Sequence, residues 1–411
     1  MRRKMGAPKH MQMRVRRLVL AYVLLVLALG TLGCSPGASA DAGKDASASG
    51  SVSHATTLVS DFHNTDLGCG WTPVDSLDLR YAQRFTIDYY EGGYTLACLA
   101  DSHRYLMVPE GAEVPQGLAD DIVVLQKPAD NIYLAASDSM CLFEALGAMD
   151  RIMVSGIARD DWQIEAARTA MDEGRIVYGG KYRAPDYELL LERGVRLSIQ
   201  SSMINHAPDV REKLMSLGIP VLVELSSYES EPLGRAEWIL LYGELCDCPD
   251  LARHIFDEQV EQVAKLQVNP TGKTVAYFYL NANGMAVVRR PGDYVTKMIE
   301  QAGGTYAFDS LDAAEAGSSS ATMEMEQFYA QAKDADVIVY NATIDNGPTS
   351  LDELIARNKL LADFKAVRSG DVWVTEQNMY QQMIRTGDII ADFNHVLCGD
   401  EDGLTYLRRL S

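Results

Sequence analysis

Basic residues are scarce in this chain, and histidine is scarcer. Against 57 Asp and Glu stand 37 Lys and Arg, a formal charge of −20. Seven of those bases precede Cys34, where no acid occurs, so the chain from Cys34 onward carries 30 bases against 57 acids, a formal −27. Such a surface repels nucleic acid and anionic lipid headgroups and excludes nucleic acid as a partner. The histidines after the leader (His54, His63, His103, His206, His254 and His395) stand at no ligand spacing, which argues against a dedicated site for a bare metal ion. There is no G-x-S-x-G and no H-E-x-x-H. Gly272-Lys273-Thr274 imitates the end of a phosphate loop, but Gln267 stands where the first glycine belongs, and a strand follows where the motif needs one before. Cys246-Asp247-Cys248 has one residue between its thiols and no second pair, so it is not a zinc knuckle. Long apolar runs are also missing, apart from Leu18–Leu29; no other stretch could span a bilayer.

That run follows Arg14, Arg16 and Arg17 and ends at Thr31-Leu32-Gly33-Cys34. A charged region followed by about a dozen apolar residues has export-signal length, too short to cross a membrane comfortably. The order resembles a bacterial lipoprotein signal, in which a small residue precedes a cysteine that becomes the lipidated first residue. Thr31 stands where that pattern usually has Leu. The alternative is an ordinary secretory signal cut near Ala38 or Ala40, and Met11 or Met13 could serve as the start. Residues 1–33 are thus expected to be the signal, with Cys34 lipidated. Residues 34–57, mostly Ala, Ser, Gly and Asp, form a flexible tether that cannot bury enough surface to offset chain entropy. This places the body at the extracytoplasmic face of the cell membrane, held by a lipid anchor. Six cysteines follow Cys34, and outside the cell they allow fifteen complete pairings. Cys69 with Cys98 could pin the N-terminal extension to the first hairpin, and Cys141 lies in an apolar helix and reads as core.

The chain is organised around residues 228–267. Trp238–Tyr242 is apolar on all sides and should be buried, and beyond Cys246–Pro249 a second helix carries Ala252, Phe256, Val260 and Val263 on one stripe. On either side lie alternating strands and helices. Residues 58–227 open with a hairpin (84–90 and 94–99) and strands 105–108, 121–126 and 131–135. They go on as helix 140–149, strand 151–155, helix 162–173, strand 176–178, helix 185–193, strand 196–200, helix 208–217 and strand 220–224. Residues 268–411 give strand 274–280, helix 294–302, strand 305–308, helix 323–332, strand 336–340, helix 351–358, strand 372–375 and helix 387–398. This alternation predicts an α/β fold of two Rossmann-like lobes, each with a mainly parallel sheet, joined by a single long inter-lobe helix.

Ligands of open α/β sheets bind beyond the carboxyl ends of the strands, and clefts between domains are favoured sites. In the first lobe those ends carry Met140, Trp162, Tyr182, Arg183 and Met203. The second lobe offers Asn281, Met285, Arg289, Arg290, Tyr294, Asn341 and Tyr380, with Arg289 and Arg290 in a long loop after its first strand. Aromatic and Met surface interleaved with Arg and amides suits a bulky, partly apolar, partly anionic ligand.

The runs DIVVLQ…SDSMCLFEALGAMDRIMVSG, GGKYRAPDYELLLERGVRLSI, REKLMSLGIPVLVE, EPLGRAEWILLYGEL…DLARHIFDEQVEQV, ADVIVYNAT and FKAVRSGDVWV resemble the class III substrate-binding proteins of ABC importers. The likeness runs from about Asp121 onward, leaving the tether and residues 57–108 as extras. It implies a monomer without catalytic activity or resident cofactor that captures a metal chelate, either a ferric siderophore or haem, with a corrinoid such as cobalamin as the alternative. It also implies a permease and its ATPase as partners, with Asp209 and Glu326 (one acid per lobe) meeting permease arginines. Two other classes are weighed beside it. One is an extracellular enzyme using Asp160, Asp161 and Glu165 near Trp162; the other is a sensor or adhesin lipoprotein.

Overall fold

The computed structural model describes residues 59–266, 268–312 and 319–411. The expected signal, Cys34 and the tether lie outside the described residues. Among the described residues the strands form three sheets. The first holds β1 (Asp75–Ser76), β2 (Phe85–Tyr89), β3 (Thr95–Leu99), β4 (Arg104–Val108) and β5 (Ile122–Gln126) in sequence order, antiparallel except for the parallel pair β4–β5. Alternation decides its faces. Ala97, Leu99, Tyr105 and Met107 pack into the first lobe's core, while Leu96, Cys98, Leu106 and Val108 meet Phe62 and Leu67 on the other side. Residues 121–126, read above as the start of the family-like body, instead pair with β4 and close this extra sheet.

The first lobe's sheet is fully parallel: β6 (Ile132–Leu134), β7 (Ile152–Ser155), β8 (Val177–Tyr178), β9 (Leu197–Ser201) and β10 (Val221–Glu224) in the order β10-β9-β6-β7-β8. Val221–Glu224 is buried at every position, as a central parallel strand must be. The helices between these strands are short and start on sequence cues. Pro208 opens one of them, and Asp186 caps another by accepting the Leu189 N–H at 3.0 Å. The chain leaves β6 in both directions across the sheet, so the topological switch point falls at the loop after β6, residues 135–139.

The second lobe is more mixed than its alternation suggests. β11 (Thr274–Leu280), β13 (Thr305–Tyr306), β15 (Val337–Tyr340) and β16 (Val372–Thr375) run parallel. β12 (Ala286–Arg289), β14 (Ser320–Met323) and β17 (Leu407–Arg409) add antiparallel edges, in the order β14-β12-β11-β15-β16-β17. Residues 281–285 make a tight turn in which Gly284 takes φ +76°, and the chain returns at once as β12. Arg289 is therefore a strand residue, and Arg290 follows directly; the long loop expected there does not exist.

The stretch expected to form one long inter-lobe helix is three helices in series: Pro232–Glu237, Ile239–Leu245 and Pro249–Lys265. All residues of the first two are buried, because the extra sheet, the first lobe and the second lobe surround them. Phe85 of the extra sheet meets Trp238 edge-on at 5.0 Å, and Phe143 of the first lobe meets Tyr242 at 5.4 Å. A Cβ on Gly243 would lie 2.4 Å from that of Ala252, so glycine lets the second and third helices touch. The 17-residue third helix spans about 25 Å at 1.5 Å per residue. Its Ala252 and Phe256 belong to the first core, and Val263 packs on the second.

Candidate functional site

The site is best built from strand ends. β6 ends at Leu134, and a single helical turn, Ser137–Ser139, follows, carrying Asp138 inward. β10 ends on Glu224, and the backbone N–H of Ser226 donates to its Oε1 at 2.7 Å. The connector then begins, and in its first helix Arg235 faces the same space. Opposite, the second lobe contributes Tyr294 at the start of helix Tyr294–Gln301, and residues 376–385 after β16. Asp138, Glu224, Ser226 and Arg235 are all buried.

Arg235 Nη2 stands 3.8 Å from Asp138 Oδ2, and its guanidinium carbon lies 3.9 Å from the centre of the Tyr294 ring. Ser226 Oγ lies 3.4 Å from Asp138 Oδ2 and 3.2 Å from Met383 Sδ, which reaches across from the second lobe. Met383 and Ile384 are in fact part of the first lobe's core. Ser139 Oγ and Tyr242 OH share a hydrogen bond of 2.7 Å beneath the cluster. At the same junction the Gln381 amide donates to Asp161 O at 3.0 Å, and Gln381 Oε1 accepts the Gln163 N–H at 2.8 Å. Both lobes thus meet through loops at the carboxyl ends of their strands.

The electrostatics of this cluster follow from burial. Burial, and then the Asp138 charge, hold the Glu224 carboxyl well above its usual range. Burial works against the Arg235 charge, but Tyr294, Asp138, Tyr380 and Glu224 outweigh it and raise its pKa. Burial also pushes the Tyr380 phenol up to about 12, with Asp138 adding to the shift.

Only two of the ligand residues expected from the sequence, Tyr294 and Tyr380, stand with this cluster. Met140 and Trp162 are fully buried in the first lobe's core, and the Trp162 indole donates to Ser155 Oγ at 3.1 Å. Tyr182 is half-buried against that core, Arg183 beside it is exposed, and Met203 and Met285 are half-buried. Asn281 and Asn341 shape turns: Asn281 Oδ1 accepts the Met285 N–H at 3.1 Å, and Asn341 Oδ1 accepts the Thr343 hydroxyl at 2.7 Å. Arg289 donates to Ser319 Oγ at 3.3 Å, and Arg290 donates to Asp312 O at 2.6 Å and Ser320 O at 3.2 Å. Both are bound within their own lobe. Asp209 and Glu326 are exposed, each in the first turn of a helix, where the helix dipole favours a carboxylate.

Asp138, Glu224 and Arg235 were missed. Their signal was a charged residue inside a segment otherwise apolar enough for the core, as in VLVE and PLGRAEWILL. The carboxylates weighed as an enzyme site do not gather: Asp160, Asp161 and Glu165 are exposed, and Asp160 pairs with Arg159 at 3.3 Å. Among the described residues no group of three or more His, Cys, Asp or Glu side chains could hold a metal ion. Cys69, Cys98, Cys141, Cys246, Cys248 and Cys398 are free thiols, and Cys141 is core as expected.

Against known proteins, residues 135–379, more than half of the chain, match a family model described as periplasmic binding protein. An uncharacterized lipoprotein of Methanocaldococcus jannaschii is 25% identical over 350 residues, covering 78% of this chain and 81% of its own length. Among solved structures, a periplasmic binding protein from Veillonella parvula superposes with a TM-score of 0.53 at 16% identity, covering 70% of this chain and 97% of that one. A periplasmic haem-binding protein of Vibrio cholerae gives 0.53 at 18% identity, with 65% and 98% covered. One from Pseudomonas aeruginosa gives 0.50 at 18% identity, with 69% and 98% covered. At such identities the structural likeness carries the fold.

Proposed function

This chain belongs to the periplasmic binding protein family, whose members bind substrates for transport rather than transform them, and from that premise we propose that it captures an iron complex, a siderophore chelate or haem, between its lobes. It then hands the complex to the permease of an ABC importer whose ATPase drives uptake. The lipid anchor at Cys34 keeps it at the extracytoplasmic face, a reading supported by the lipoprotein relative. The observation that carries the proposal is the meeting of strand-end loops from both lobes over the buried Asp138–Arg235–Tyr294 cluster. That is where an α/β sheet receives its ligands, at the switch point after β6. The haem-binding structural relatives support an iron complex.

Capture requires the lobes to part and close. The connector sets how. With residues 232–245 buried throughout, that length of it is held rigid, so bending falls outside it. Native mass spectrometry of the chain purified without added ligand tests the proposal. A retained iron chelate or haem supports it. A chain that purifies empty and binds no ferric siderophore, haemin or cobalamin on titration counts against it.

A further inference from the structure

Arg235 is 3% exposed, yet its donors are poorly used. Nε has no hydrogen-bond partner among the described residues, and Nη2 at 3.8 Å from Asp138 is beyond hydrogen-bond reach. Buried arginines normally have their N–H groups satisfied, and one left unmet calls for an explanation. Nε and Nη2 lie along one edge of the guanidinium, the edge that grips a carboxylate through two parallel bonds. The plane of the group is held in place by the Tyr294 ring at 3.9 Å.

We propose that Arg235 is the ligand's anchor: a guanidinium presented by the connector, between the lobes, to a free carboxylate on a chelate whose apolar or conjugated body packs on Tyr294 and Tyr380. The proposal rests on the cleft being a chelate site, as argued above. The neighbourhood fits an incoming anion. Burial raises the Glu224 pKa, which lessens its opposition to a second negative charge. Asp138 sits close enough to orient the guanidinium without closing its edge. Because the arginine stands on the connector rather than on a lobe, an anchored ligand engages the element that both lobes pack against. A carboxylate could come from a porphyrin or from a carboxylate siderophore, and the test separates them.

The test titrates the full chain in detergent, following tryptophan fluorescence (Trp238 is three residues from the anchor). The probes are haemin, haemin dimethyl ester, ferric citrate, the neutral trihydroxamate ferrichrome, and cyanocobalamin. The account expects haemin or ferric citrate to bind, with the ester at least tenfold weaker than haemin if the ligand is a porphyrin. Arg235→Gln should weaken the carboxylate chelate roughly ten- to hundredfold and erase the difference between haemin and its ester. Arg235→Lys, which keeps the charge but loses the fork, should restore only part. If Arg235→Gln does not fold, the haemin–ester comparison on the unaltered chain decides for a porphyrin and Arg235→Lys decides for citrate. Equal binding of haemin and its ester, or unchanged affinity in a folded Arg235→Gln, overturns the anchor. Binding of ferrichrome or cyanocobalamin alone overturns the anchor while leaving the cleft reading standing. Binding of none of the five overturns both.

Discussion

Glu237 on the connector accepts the backbone N–H of Ala82 at 2.7 Å, and with the same carboxylate takes those of Arg80 and Tyr81, each at 2.8 Å. Glu229 continues the run, accepting Gln83 N and Arg84 N at 2.9 Å each and the Trp238 indole at 3.0 Å. Two buried carboxylates thus hold five consecutive backbone donors, and this is how the extra sheet is fastened to the connector.

Glu237→Ala leaves three N–H groups unmet, the Ala82 one buried and the other two part-buried, so the fold should lose about 1–3 kcal/mol. Glu237→Gln keeps one acceptor and should lose less. Denaturant titration reads both. Hydrogen exchange at residues 80–84 should speed up in the Ala variant, and unchanged exchange would show that these bonds do not hold the sheet.

Burial pushes the Glu229 carboxyl up to about 7, against the lowering effect of its hydrogen bonds from Trp238, Gln83 and Arg84. Its folded pKa lies above the unfolded value of 4.5, so the folded state binds the proton more tightly. The stability this contributes is complete below pH 4.5 and is lost as pH rises through about 7. Glu224 shifts in the same direction. Thermal melts should therefore show higher stability at pH 5 than at pH 8, and Glu229→Gln, which cannot titrate, should flatten that slope. A profile rising from pH 5 to 8 would contradict this.

Asp209 and Glu326 stand exposed in the first turns of helices on separate lobes. Replacing both with Ala should abolish uptake in cells and leave chelate affinity of the purified protein unchanged. Rim charges govern encounter and register, so each single change should cost less than the pair. Loss of ligand affinity in the double variant would remove them from the docking role.

Cys34→Ser should release the body from the membrane fraction or leave it with an uncut signal. Equal membrane retention, with cleavage at Ala38 or Ala40, would show that no lipid is attached there.

Most elements were legible in the sequence because short apolar runs such as Val337–Tyr340 are buried on both faces and flanked by helices with clear starts. Ala286–Arg289 was not, because it follows a turn rich in Asn and Gly and is too short to separate from loop by periodicity. The site was less legible. Residues at strand ends were collected by position, but position does not give direction: the turn after Ser155 carries Trp162 into the core. Arg235 and Asp138 were hidden for the opposite reason. Each is a polar residue in an apolar context, and only the packing of three elements around the connector makes them neighbours.

Hydrogen–deuterium exchange with and without haemin, and in parallel with and without ferric citrate and ferrichrome, tests the central claim most directly. If a chelate is held between the lobes, it should protect residues 135–140 and 224–238 of one face together with 294–298 and 376–385 of the other. Protection confined to one lobe, or absent from both faces with every chelate, would contradict the account.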